Sequence, residues 1–171
     1  VSRGNPEVES VLDKGLRYVS LPEMLRDRFL WGQKSVVVAG THGKTTTTSM
    51  IAWVLVHAGV DPSFLVGGIP ENFGASFRVG NGQPFVIEGD EYDSAFFDKT
   101  AKCLKYLPEI AIVGNVEFDH ADIYEDIGSL RTTFRRFLGL VPRNGQVLLG
   151  ADDEEACALK EYSGAPVETF G

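Results

Sequence analysis

Ser35-Val-Val-Val-Ala-Gly40-Thr-His-Gly43-Lys44-Thr45-Thr46 is the stretch from which the fold can be read. Its first half is a compact, β-branched apolar run of the kind that forms a strand covered on both faces in a parallel sheet. A glycine turn follows, and the residues from about Lys44 to His57, closed by Gly59, continue as a helix. Strand, glycine loop and helix in that order set successive backbone N–H groups at the positive end of a helix, where they can wrap a phosphate. Gly40 and Gly43 permit close backbone approach, Lys44 can reach the β- and γ-phosphates, and the hydroxyl of Thr45 is placed to hold Mg²⁺. The strict eight-residue phosphate-loop pattern would start with glycine where this chain has Val38, so what remains is G-x-x-G-K-T. Gly40, Thr41, His42, Gly43, Lys44, Thr45 and Thr46 are the candidate nucleotide-binding positions, with the His42 side chain read as pointing away from the phosphates. Thr46 to Thr48 add hydroxyl contacts or cap the helix.

Working outward, the same alternation recurs. Phe64-Leu-Val66, Phe85-Val-Ile87, Ile110-Ala-Ile-Val113 and Val147-Leu-Leu149 read as strands, with helices over about 129–140 and 152–161. An irregular Gly/Pro/Asn-rich stretch runs from Gly67 to Gly82. Upstream, Asn5-Pro6-Glu7 opens a short helix that Gly15 stops, and Ser20-Leu-Pro-Glu23 has capping-box spacing for a second one through about Phe29. Strands alternating with helices imply βαβ crossovers: the fold class is α/β, P-loop-containing, a mostly parallel open sheet with helices on both faces.

Composition bounds the function without naming it. With 171 residues, 43% of them apolar, the chain has the size and core material of about one domain. A formal charge of −8 argues against a basic nucleic-acid face and against a polybasic membrane anchor, while backbone amides can still bind phosphate locally. Cys103 and Cys157 are too few for a disulfide scaffold, the longest apolar stretch (Ile51 to Val60) is too short to span a bilayer, and nothing at the amino end reads as a signal peptide. The expectation is a soluble, cytoplasmic domain. A start at Val1 instead of methionine, and an end at Val167-Glu-Thr-Phe-Gly171 that reads as a strand beginning, suggest a piece of a longer chain.

Phosphoryl-transfer sites need a carboxylate near the metal, delivered by the end of a neighbouring strand. Phe85-Val-Ile-Glu88 supplies one, and Asp90, Glu91 and Asp93 follow, these three read equally well as a solvated acidic loop. The next strand delivers Asn115, Asp119 and His120 to the same edge, and an imidazole between carboxylates is a good metal ligand. His57, near a helix end, is explained by the helix dipole. The guanine-reading Asn-Lys-x-Asp motif and the kinase His-Arg-Asp and Asp-Phe-Gly motifs are absent.

Gly40-Thr-His-Gly-Lys-Thr-Thr46, Glu88-Gly-Asp-Glu-Tyr-Asp93 and Asn115-Val-Glu-Phe-Asp-His120 together resemble the central ATPase domain of the Mur ligases. Ser2-Arg-Gly-Asn-Pro6, Gly67-Gly-Ile-Pro70 and the run Glu88 to Lys99 are similar to the branch that adds murein tripeptide, with the alanine-adding branch as the alternative. The resemblance implies ATP-dependent C–N ligation through an acyl phosphate, with UDP-N-acetylmuramate and the tripeptide L-Ala-γ-D-Glu-meso-diaminopimelate as substrates and ATP and Mg²⁺ as cofactors. It implies that Lys44, Glu88 and His120 are catalytic, that Thr45, Glu88 and His120 hold metal, and that Asn115 belongs to the nucleotide site by shaping the His120 loop. Residues 1–33 would be a connector following an amino-terminal domain, and 34–171 the N-terminal part of the central ATP-binding domain. Several relatives support the metal with a carbamylated lysine on the helix after the Asp-His motif; here that region reads Arg131-Thr-Thr-Phe-Arg-Arg136, with no lysine before Lys160, and no such modification is expected. A P-loop module that binds nucleotide without catalysis is the competing reading.

Overall fold

A computed structural model of the chain describes residues 1–118, 124 and 126–171. The apolar run read first is strand β1 (Lys34–Ala39), and it lies in the middle of a seven-stranded sheet. On one side stand β4 (Pro84–Gly89), β2 (Ser63–Leu65) and β3 (Phe77–Arg78); on the other, β7 (Ile110–Val113), β8 (Gln146–Gly150) and β9 (Val167–Phe170). Every pairing is parallel except β2 with β3, which closes one edge antiparallel. The mostly parallel sheet read from the sequence is therefore the sheet observed, with β3 and a separate hairpin, β5 (Asp93–Ala95) and β6 (Asp98–Ala101), added to it.

Alternation along β1 divides the core. Val36 and Val38 pack with Phe64, Val86 and Ala52 of helix α3 (Lys44–His57), whereas Val37 and Ala39 pack with Phe85 and Ile87 on the opposite face. That second face is covered by α2 (Leu21–Leu25), α4 (Ile127–Leu138) and α5 (Glu154–Ala158), with Leu130, Phe134, Phe137 and Leu138 of α4 fully buried. Helices on both faces follow from strands whose two faces are both apolar.

Helix starts are set by short polar side chains. Asn5 caps α1 (Pro6–Asp13), Ser20 and Glu23 form the capping box of α2, and Asp126 and Asp153 cap α4 and α5. The Asp126 cap starts α4 two residues before the expected position. Helix α2 ends at Leu25 and runs on as a π-helical turn over Arg26–Leu30, and α5 gives way to a 3₁₀ turn over Leu159–Tyr162. Among the described α-helices only α3 begins without a side-chain cap, on Gly43 in the left-handed region (φ +77°). No helix among the described residues is long and apolar enough to cross a membrane.

Candidate active site

The chain leaves β1, runs through α3 to β2 on the far side of β4, and later returns to place β7 on the other side of β1. The strand order thus reverses at β1, and open α/β sheets bind ligands outside the carboxyl ends of the strands at that point. Three loops meet there: Gly40–Gly43 after β1, Glu88–Glu91 at the end of β4, and Gly114–Glu117 after β7.

Asn115 joins the first loop to the third. Its backbone carbonyl accepts from Thr41 N (3.1 Å), its side-chain oxygen accepts from His42 N (2.8 Å), and its amide nitrogen donates to His42 O (3.2 Å). Thr41, buried, exchanges hydrogen bonds with Glu117: its hydroxyl donates to Glu117 O (3.0 Å) and accepts from Glu117 N (2.8 Å). Gly40, at φ +126°, fits this contact because a Cβ there would lie 2.9 Å from Asn115 O. Asn115, expected to shape the His120 loop, has its side chain bonded to the backbone of the glycine loop. The His42 ring is exposed and turned to Glu117, Nε2 to Oε2 3.7 Å, in keeping with a side chain directed outward.

Among the described residues no group accepts from the amides of Gly43, Lys44, Thr45 or Thr46, and the first helical bond is Thr47 N to Gly43 O at 2.9 Å. Four unsatisfied N–H groups at an uncapped, glycine-started helix form a cradle for an anion. Lys44 folds back over the loop. Its ammonium donates to Gly40 O (2.7 Å) and Thr41 O (3.1 Å), and both carboxylate oxygens of Glu91 lie within reach at 3.1 and 2.9 Å.

Glu88 and Thr45 border the same Gly67-Gly68 pair. Glu88 Oε1 accepts from Gly67 N (2.9 Å), a Cβ on Gly67 would lie 3.0 Å from Glu88 Oε2, and one on Gly68 would lie 3.3 Å from Thr45 Cγ2. A carboxylate and a hydroxyl beside a phosphate cradle form the hard oxygen donor set that Mg²⁺ prefers, so these residues fit that ion. Three His, Cys, Asp or Glu side chains do not converge on one point among the described residues. His120 and Asp119 lie outside the described residues.

The acidic segment is only partly the solvated loop it resembles in sequence. Asp90 pairs with Lys102 (2.6 Å) and Asp93 with Lys99 (2.7 Å), both carboxylates half-buried, while Glu91 is 1% exposed. Burial drives the Cys103 thiol far above its usual range, with Glu91 and Asp90 adding to the shift, so Cys103 is a core residue and not a nucleophile. His57 sits at the end of α3, its Nδ1 3.0 Å from Trp53 O and its ring against Trp53, consistent with the dipole reading. Gly67, Gly68 and Glu117 fall within stretches that carry the resemblance but were given no role from sequence; their contacts depend on close approach across the sheet edge, which leaves no local pattern.

Residues 38–171 match the model of the Mur ligase middle domain. The chain is 47% identical over 156 residues, covering 91% of it, to UDP-N-acetylmuramate–L-alanyl-γ-D-glutamyl-meso-2,6-diaminoheptandioate ligase of Haemophilus influenzae, and spans 34% of that relative. With UDP-N-acetylmuramate–L-alanine ligase of Clostridium perfringens the identity is 38% over 167 residues, covering 98% of this chain and 35% of the relative. In three dimensions it superposes on the crystal structure of UDP-N-acetylmuramate:L-alanyl-γ-D-glutamyl-meso-diaminopimelate ligase from Neisseria meningitides with a TM-score of 0.93 at 43% identity, covering 100% of this chain and 56% of that one. The chain spans about a third of the length of the curated relatives it matches.

Proposed function

The chain belongs to the Mur ligase family through its middle domain, and on that premise we propose that it carries the phosphate- and metal-binding half of the active site of an ATP-dependent amide ligase. Residues 1–33 serve as the connector from a preceding domain and 34–171 as the N-terminal part of the ATP-binding domain, working in the cytoplasm. The intact protein joins L-Ala-γ-D-Glu-meso-diaminopimelate to UDP-N-acetylmuramate. The lactyl carboxylate oxygen attacks the γ-phosphorus of ATP, the bond to ADP breaks, and an acyl phosphate forms. The free amine of the tripeptide then attacks the acyl carbon, phosphate departs, and the amine proton is lost.

The placement of the described residues supports the following roles in that scheme. The free amides of Gly43, Lys44, Thr45 and Thr46 receive phosphate oxygens, and Lys44 supplies positive charge beside them. Asn115 holds Thr41 and His42 so that the loop keeps its shape without the nucleotide. Thr45 and Glu88 would hold Mg²⁺, with His120 supporting a second ion, and the metal would offset repulsion between the substrate carboxylate and the γ-phosphate. The observation that carries the reading is the meeting of an uncapped helix start, Lys44 and Glu88 at the strand-order reversal.

The tripeptide is favoured over L-alanine by the higher identity to the tripeptide ligases, 45% and 47%, against 35% to 42% for the alanine ligases. The decisive assay follows phosphate release by the intact protein from ATP and UDP-N-acetylmuramate with tripeptide, L-alanine or glutamate as amine. Release with tripeptide, reduced at least a hundredfold in Glu88→Ala and in His120→Ala, is the expected result. Release with L-alanine or glutamate instead reassigns the amine. Nucleotide binding with no ligation on any amine leaves only a nucleotide-binding module.

A further inference from the structure

Thr41 stands inside the glycine loop, yet its hydroxyl has nothing left to offer a phosphate. A hydroxyl has one proton to give, and that of Thr41 goes to Glu117 O at 3.0 Å while the oxygen accepts from Glu117 N at 2.8 Å. What remains on the oxygen is a lone pair, and a phosphate oxygen, itself an acceptor, gains nothing from it. The backbone amides of Thr41 and His42 are engaged as well, by Asn115 O (3.1 Å) and Asn115 Oδ1 (2.8 Å). The cradle therefore begins at Gly43, and the buried Thr41 side chain serves the loop after β7.

That loop is tied down one residue at a time. Gly114 N donates to Ala39 O (3.2 Å), Asn115 O accepts from Thr41 N, and Val116 N donates to the Asp153 carboxylate that caps α5 (3.4 Å). Both backbone groups of Glu117 then meet Thr41 Oγ1, the last of these ties before Asp119 and His120 in the sequence. The chain is fastened again at Tyr124, whose hydroxyl donates to Glu91 O (2.7 Å). Removing the Thr41 hydroxyl would release Glu117, whereas the glycine loop would keep its bonds to Asn115 and with them its shape. Resting on the ligase reading above, we propose that Thr41 is a positioning residue: its hydroxyl stays on Glu117 whether or not nucleotide is bound, and fixes the point from which the chain leads into Asp119 and His120. A side chain in the middle of the phosphate motif thus acts on ligation and leaves nucleotide binding nearly untouched.

In the intact protein, Thr41→Val keeps the shape of the side chain and removes the hydroxyl. Mg-ADP affinity by calorimetry should stay within about threefold of wild type, while kcat for ligation falls about thirtyfold or more. Thr41→Ser, which keeps the hydroxyl, should hold kcat within about threefold of wild type. With His120→Ala already present, Thr41→Val should lower kcat no further, because its effect passes through the His120 segment. Should Thr41→Val not fold, a measurement on the wild type carries the test. The Glu117 amide, followed by residue-resolved deuterium exchange, should be equally protected with and without Mg-ADP. The proposal is overturned by nucleotide affinity that falls in step with kcat, by an unchanged kcat, or by a Thr41→Ser variant no better than Thr41→Val. Losses that multiply with His120→Ala, or a Glu117 amide that loses protection when Mg-ADP binds, overturn it equally. A wild type that binds nucleotide but ligates nothing refutes the ligase reading, and the exchange measurement still decides which partner the Thr41 hydroxyl keeps. A wild type that binds no nucleotide refutes both.

Discussion

At the scale of single residues, the two loop glycines separate backbone conformation from close approach. Gly40 and Gly43 both have positive φ, but a Cβ on Gly43 meets nothing within 4 Å while one on Gly40 is pressed against Asn115. Gly43→Ala therefore carries conformational strain alone, about 1 kcal/mol. Gly40→Ala adds a steric clash with Asn115 O and N, for a total loss of about 3 kcal/mol in urea unfolding. Because that clash pushes apart the loops after β1 and β7, Gly40→Ala should also weaken Mg-ATP binding by more than tenfold, and Gly43→Ala by less. Equal losses for the two would show that the Asn115 contact does not hold the loop.

At the scale of elements, the hairpin β5–β6 shows how charge stabilises a segment that sequence reading passed over. Asp98 accepts from the Thr100 amide and hydroxyl and pairs with Lys105 at 2.7 Å. The Lys105 bond leads these causes in pulling the Asp98 carboxyl down from 3.8 to about 2. A depressed carboxylate stabilises the fold fully above its unfolded pKa and loses that contribution as pH falls through the folded value. Asp98→Asn should cost about 1 kcal/mol at pH 7, since the pair is partly open to solvent, and the gap to wild type should close between about pH 4 and 2 in denaturant titrations. A gap that persists at pH 2 would assign the loss to packing. The hairpin was not legible because Asp93-Ser-Ala-Phe-Phe-Asp98 has no glycine, proline or asparagine at its turn, and β3 is only two residues long. By contrast β1, β4, β7 and β8 could be read directly, as strands buried on both faces are continuous apolar runs. In the site, Lys44, Thr45 and Glu88 were readable because a loop and a strand end each leave a local pattern. The pairing of Glu91 with Lys44 spans 47 positions and leaves none.

At the scale of the molecule, the three loops of the site rise from β4, β1 and β7, neighbours at the centre of the sheet, each hydrogen-bonded to a strand on either side. Read in the time domain, this arrangement sets two clocks for deuterium uptake. Amides inside those strands can exchange only when the whole sheet opens, and so report global stability. Four amides a few ångströms away, Gly43 to Thr46, have no protein acceptor among the described residues and should exchange at once. Mass spectrometry of the intact protein should find peptides over 34–39 and 84–89 slow with or without Mg-ADP, and the amides of 43–46 slow only with it. Fast uptake in the central strands would mean that the sheet loosens locally. With the expected pattern, nucleotide brings the fastest amides of the site into step with its slowest, and the release of nucleotide can be timed without any chemistry on the substrate.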